Sequence, residues 1–260
     1  MQRGMDVSDP GLMHGKMGLV IFFFHYARYT GDHSFKDRAM ELMNCIQEQI
    51  QKEHVMNYAD GLAGIGTGIE YLAQNSFMEV DTNDVLEELD RVIFMATVFG
   101  NHADISLFTG LSGLGRYLLF RVFGRCDSTD YISTLDNKML LIGITDKFER
   151  IAHSLKAEEI EDVLCFLYAM QQTGIYPTKT NQLIKTFSPD ASSSGQDEIM
   201  RQYWKKTETR YQNKYKAILS RMQHYNQPDI DPGLYGGLAG VGLYLLGKSD
   251  KQYRTWMQLL

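Results

Sequence analysis

The sequence predicts an all-α fold of repeated helical hairpins. Three observations carry that expectation. A short glycine motif recurs ahead of apolar segments, amphipathic segments of helical period lie between its copies, and little in the chain favours strands.

The glycine motif is G-x-x-G. It occurs in His14-Gly15-Lys16-Met17-Gly18, Asp60-Gly61-Leu62-Ala63-Gly64, Thr109-Gly110-Leu111-Ser112-Gly113 and Gly236-Gly237-Leu238-Ala239-Gly240. Apolar, often aromatic, stretches follow each copy: Leu19 to Tyr26, Ile65 to Leu72, Leu114 to Phe120 and Val241 to Leu246. The first two intervals between copies are nearly equal, and the last is more than twice as long. A degenerate unit fits that gap. Two periods beyond the second copy, Tyr71 superposes on Tyr168 and Gln74 on Gln171, so Glu161 to Met170 takes the place of an apolar helix, with Glu158 and Glu161 where Gly61 and Gly64 would be. About five apolar helices result.

Amphipathic helices complete the hairpins. Phe35 to Lys52 repeats apolar residues at Phe35, Ala39, Leu42, Met43 and Ile46, close to the 3.6-residue period. Val85 to Val98 has the same character and opens after Asp81, Thr82 and Asn83, which cap helices well. Ser133 to Ser154 and Gln196 to His224 follow. Thr173 to Gly195 contains Pro177, Pro189 and a serine run, and reads as an exposed insertion within one domain spanning residues 1–260. Two glycines one turn apart clear one helix face, so that another backbone can approach the first turn.

Composition narrows the function. Of 260 residues, 44% are hydrophobic and 22% charged, as in an ordinary globular domain. A formal net charge of -6 gives no electrostatic support to a nucleic-acid partner. The longest apolar run, Leu19 to Phe24, is too short to span a bilayer, and Met1 to Pro10 lacks a signal-peptide core. Cys45, Cys126 and Cys165 are odd in number and scattered, which favours a reducing, cytoplasmic setting.

The segments Gly11-Leu12-Met13-His14-Gly15-Lys16-Met17-Gly18, Asp60-Gly61-Leu62-Ala63-Gly64-Ile65-Gly66 and Gly237-Leu238-Ala239-Gly240-Val241-Gly242 resemble the repeats of lanthionine synthetase C-like proteins. The resemblance implies an α/α toroid, with the glycine loops at the starts of its inner helices. About five hairpins need not close that ring, and an incomplete one leaves an apolar edge that a second copy of the chain would cover; Lys248 to Leu260, with Trp256, is the candidate contact. The resemblance also implies a zinc ion that activates a peptide cysteine for addition to a dehydroamino acid. Its ligands would be cysteines in Cys-Tyr-Gly and Cys-His-Gly loops and a histidine. The loops here read Met13-His14-Gly15, Ala59-Asp60-Gly61, Phe108-Thr109-Gly110 and Tyr235-Gly236-Gly237, without a cysteine. A methionine thioether at position 13 is a poor zinc ligand. No metal site and no cofactor are therefore expected.

The residues beside the glycines remain as site candidates. His14, Lys16, Tyr58, Asp60, Thr109 and Tyr235 would line the toroid's cavity, with His14 and Asp60 the catalytic candidates. His14 offers a general base or a local hydrogen bond; Asp60 and Thr109 serve equally as helix N-caps; the tyrosines serve a peptide site or simple packing. Glu70, Asp104 and the run Glu158 to Asp162 are further carboxylates, the run reading as a solvated helix start. The function expected is binding or maturation of a peptide by a pseudoenzyme lacking its own zinc, together with a separate modifying enzyme. Two alternatives stand beside it: a zinc-dependent cyclase completed by a partner chain, and a carbohydrate-active toroid using two carboxylates.

Overall fold

The computed structural model describes residues 9–50, 55–100, 102–124, 131–188, 208–220 and 231–260. All regular structure among them is helical. The order is α1 (Lys16–Thr30), α2 (Ser34–Ile50), α3 (Leu62–Gln74), α4 (Thr82–Phe99), α5 (Leu111–Gly124), α6 (Tyr131–Ile151), α7 (Ala157–Thr173) and α8 (Pro177–Phe187). Helical residues 208–220 (α9) and α10 (Leu238–Ser249) follow, and Lys251–Leu259 ends the chain as a 3-10 helix. No helix among the described residues is long and apolar enough to cross a membrane.

The predicted periodicities are visible in what each helix buries. α2 buries Ala39, Leu42 and Ile46, one stripe at spacings of three and four, against α1. α4 buries Leu86, Leu89 and Ile93, and Asp81 caps it by accepting from the Asn83 N–H at 2.9 Å. The degenerate unit is α7, which buries Val163, Cys165, Phe166, Leu167, Tyr168 and Met170. It has no glycines of its own to receive a neighbour. The room is on α5 instead, where a side chain at Gly115 would meet the Phe166 ring. Glu159 accepts from the Lys156 N–H at 2.7 Å, so the acidic first turn caps α7.

The four glycine-led helices start alike. The first helical N–H donates to a carbonyl seven residues upstream: Lys16 to Asp9 at 2.9 Å, Leu62 to Val55 at 2.8 Å, Leu111 to Asp104 at 3.0 Å and Leu238 to Asp231 at 2.8 Å. That carbonyl satisfies one of the donors that a helix start leaves open. At Gly15 and Gly110 a Cβ would collide with the aspartate backbone that supplies the bond, and at Gly237 with the Asp231 and Gly233 carbonyls. Glycine is needed there for this close approach.

Three expectations change. Asp60 and Thr109 are not N-caps, because each precedes the glycine that directly precedes its helix. The segment read as an insertion forms α8 over much of its length. Pro177 opens that helix, where a missing N–H costs nothing, and Thr180, Leu183 and Ile184 are buried as it packs on α7. It thus supplies the second helix of the fourth hairpin; Pro189 to Gly195 lies outside the described residues, as does 196–207 of the helix expected next. Trp256, expected at an intermolecular contact, is 1% exposed and packs on Tyr215, with Tyr253 and Leu259 also buried.

Contacts group the chain into two compact units, where the sequence suggests one domain. One comprises Met1–Val55, Ala59–Gly68 and Trp204–Leu260; the other comprises Met56–Tyr58 and Ile69–Tyr203. The second unit holds a buried ionic network. Arg121, on α5, is fully buried and pairs with Glu70 of α3 and with Asp90 of α4, at 2.8 Å for the latter. Tyr117 donates its hydroxyl to the same Asp90 carboxylate. Burial and that carboxylate hold the Tyr117 phenol well above its ordinary pKa.

Two stability predictions follow from these contacts. Gly110→Ala should cost about 1–3 kcal/mol by overpacking against Asp104. Gly143→Ala, in mid-α6 where a Cβ would meet nothing, should gain about 1 kcal/mol of helix propensity. Urea denaturation midpoints compare them, and equal midpoints would contradict the packing argument. Arg121→Met leaves Glu70 buried without its cation and should cost about 3–5 kcal/mol, much of it restored by adding Glu70→Leu. Thermal melts of the single and double variants read this, and additive losses would count against it.

Candidate functional site

The loops ahead of the glycine-led helices are tied to one another by backbone. In the first unit Tyr235 N–H donates to Met13 O at 2.8 Å, and Met13 N–H donates to Ala59 O at 2.8 Å. These three residues occupy one position of the repeat, two before the first glycine. In the second unit Tyr58 N–H donates to Phe108 O at 3.0 Å. The ladder in the first unit sets the neighbouring position, one before the glycine, side by side in two loops. His14 and Asp60 stand there.

Aspartates shape the loops. Asp9 Oδ1 accepts from Gly11 N–H at 2.6 Å, Asp104 Oδ1 from Ser106 N–H at 2.9 Å, and Asp231 Oδ1 from Gly233 N–H at 2.6 Å. Each is an Asx turn that starts the seven-residue loop. Asp231 has a second oxygen to give. Its Oδ2 lies 2.8 Å from His14 Nδ1, and both side chains are a little over one-third exposed. A carboxylate only accepts, so the shared proton sits on Nδ1, and Nε2 is the ring nitrogen left for another group.

Asp60 completes the cluster. Its carboxyl feels the His14 backbone, which favours its charged form. Burial raises its pKa above the ordinary 3.8; His14 opposes that rise, while Asp9 and Asp231 add to it. The His14 and Tyr235 rings meet edge to face, 6.1 Å between centroids. Lys214 of α9 lies over the other ring, its Nζ 3.3 Å from the Tyr235 centroid. Burial and Arg210 lower the Lys214 pKa, with Asp231 acting the other way. The chemistry assembled is a histidine oriented by one carboxylate and flanked by a second that holds its proton more readily than usual. Such a group can take up and return a proton.

The other predicted site residues have different partners. Lys16 is buried as the first residue of α1 and donates to Gln49 Oε1 of α2 at 2.7 Å. Tyr58, in the second unit, is fully buried beside Arg116 of α5, and burial pushes its phenol up to about 12. Thr109 donates to Asp104 Oδ2 at 2.6 Å, within its own loop. Of the remaining carboxylates, Glu70 belongs to the Arg121 network, and Asp162 accepts the Leu107 N–H at 2.8 Å, so only the start of the 158–162 run is solvated.

Sequence reading missed Asp9, Asp231 and Lys214. A signal existed for the first two: Asp9-Pro10-Gly11-Leu12 recurs as Asp231-Pro232-Gly233-Leu234, at the same distance before the first glycine.

Residues 6–162 match the model of the lanthionine synthetase C-like protein family. The chain belongs to that family. No curated protein matches the sequence. The loop at Asp231 to Gly240 lies beyond the matched residues, yet it repeats the Asx turn and the seven-residue hydrogen bond of the loops within them.

The zinc that the family implies finds no fitting donor set here. Met13, Ala59, Phe108 and Tyr235 stand where thiolates would precede the glycines. Cys165 is buried in α7 and receives an Arg116 N–H at 3.1 Å, Cys45 lies in α2, and Cys126 is outside the described residues. Among the described residues no three His, Cys, Asp or Glu side chains are grouped to hold a metal.

The raised Asp60 pKa has a testable consequence. The folded state holds this proton more tightly than the unfolded chain, so stability from Asp60 is complete below 3.8 and falls as pH rises through the raised value. Asp60→Asn removes that loss. Its melting temperature relative to the parent should therefore climb as pH rises above 3.8 and then level off. A difference that stays flat from pH ~3 to ~7 would refute the assignment.

Proposed function

We propose that this lanthionine synthetase C-like protein acts in peptide modification, binding a peptide or assisting its maturation, without a zinc site of its own. One observation carries the reading: the loops keep the repeat's backbone and a histidine–carboxylate cluster, while every position that would supply a thiolate is taken by Met13, Ala59, Phe108 or Tyr235. Zinc serves such chemistry by holding a thiol as thiolate near neutral pH. Without it His14 and Asp60 bind and orient, and the bond-forming step falls to a separate enzyme. A reducing, cytoplasmic setting goes with this, since Cys45 and Cys165 are both free thiols. The carbohydrate-active alternative asks for two carboxylates opposed across a scissile bond. Here the Asp231 carboxylate pairs with His14, and Asp60 feels the charges of His14, Asp9 and Asp231.

The test combines metal analysis with binding. Protein purified without chelators should carry zinc far below one equivalent. A fluorescent peptide containing a cysteine and a dehydroalanine should bind in EDTA, more weakly to His14→Ala, with its free thiol undiminished. Stoichiometric zinc that is lost in His14→Ala, with disappearance of the peptide thiol, would establish the cyclase reading instead.

A further inference from the structure

The second unit carries a groove that the loop cluster does not use. Its volume is about 530 Å³, and it runs between α4 and α6 over Phe94, Val98, Met139, Ile144, Lys147 and Arg150. The α6 side spans Asp136 to Arg150, about 21 Å at the helical rise, enough for four turns of a docked helix. The apolar wall is open to solvent: Val98 is 47% and Met139 62% exposed, and Phe99 beside them is 73% exposed. Val98 and Met139 give the groove an apolar wall.

Two further observations describe the occupant. Gly143 lies mid-α6 in the groove, where a Cβ would meet nothing. A glycine there weakens the helix and relieves no crowding within this chain, yet it deepens the groove for something entering it. Charge is uneven along the groove. Lys147 and Arg150 stand at one end and make no ion pair among the described residues, while the nearby carboxylates Asp146 and Glu149 act on Lys179 of α8.

We propose that this groove docks an amphipathic helix of a partner polypeptide, its apolar stripe along α4 and α6 and its acidic end against Lys147 and Arg150. The proposal is independent of the reading given to His14. A fluorescein-labelled peptide of about 18 residues, with leucines at helical spacing and glutamates at one end, tests it by anisotropy on the full chain. A twin peptide with lysines for glutamates is the control. The glutamate peptide should bind at least about tenfold tighter than its twin. Gly143→Trp should weaken it by a similar factor without lowering the melting temperature, and Lys147→Glu with Arg150→Glu should reverse the preference between peptides. His14→Ala should leave binding unchanged. Equal binding of the two peptides, or indifference to Gly143→Trp and to the charge reversal, would overturn the proposal. So would sedimentation showing a dimer that Gly143→Trp makes monomeric, because the groove would then belong to a second copy.

Discussion

A backbone carbonyl placed over the start of each glycine-led helix is the constraint on which the structure depends. The first turn of a helix carries N–H groups without partners, and these helices begin among buried residues where water cannot serve all of them. Asp9, Val55, Asp104 and Asp231 each turn a carbonyl onto the first helical N–H seven residues later. Around Gly15, Gly110 and Gly237 the approach leaves no room for a side chain. The motif is thus a packing rule before it is anything functional, and it holds wherever the loop recurs, including beyond the residues that match the family.

The site inherits its geometry from that rule. With the loop pinned at both ends, the residue before the glycine is left partly exposed in the first two loops, as His14 and Asp60 are, while Met13 and Ala59 just before them are buried. Asp231 then performs three tasks: its carbonyl starts α10, Oδ1 closes its own turn, and Oδ2 holds His14. Asp104 occupies the same place in the third loop but gives Oδ2 to Thr109 of its own loop. One backbone framework therefore yields a closed structural turn in one repeat and a cross-loop pair with a histidine in another. The identity of the residue before the glycine makes the difference.

The second unit depends on a different device. Arg121 fans out to Glu70 and Asp90, so α3, α4 and α5 are fixed by charges that have lost their water. Such a network adds little net stability over apolar packing, but it penalises any arrangement that separates its members. The sequence gives no sign of it. Glu70 reads as one more possible site carboxylate, and Arg121 sits four residues past Tyr117 in a largely apolar helix that also carries Arg116. Local composition misled elsewhere too. Pro177 suggests a break, but a proline at the first helical position is compatible with α8. Lys16 stands beside a loop glycine, yet as the first residue of α1 its side chain reaches α2.

The sequence by itself determined the all-α class, the succession of apolar and amphipathic helices, the glycine loops and the want of thiols beside them. Each is written in a local period or motif, where neighbours along the chain are neighbours in space. Only the tertiary structure decided which side chains meet. His14 and Asp231 are 217 positions apart, and they join because a ladder of backbone hydrogen bonds sets one loop against the next. The oriented histidine, the proton held more tightly on Asp60 and the vacant space beside Gly143 all arise from burial and contact between distant segments, which no local pattern specifies.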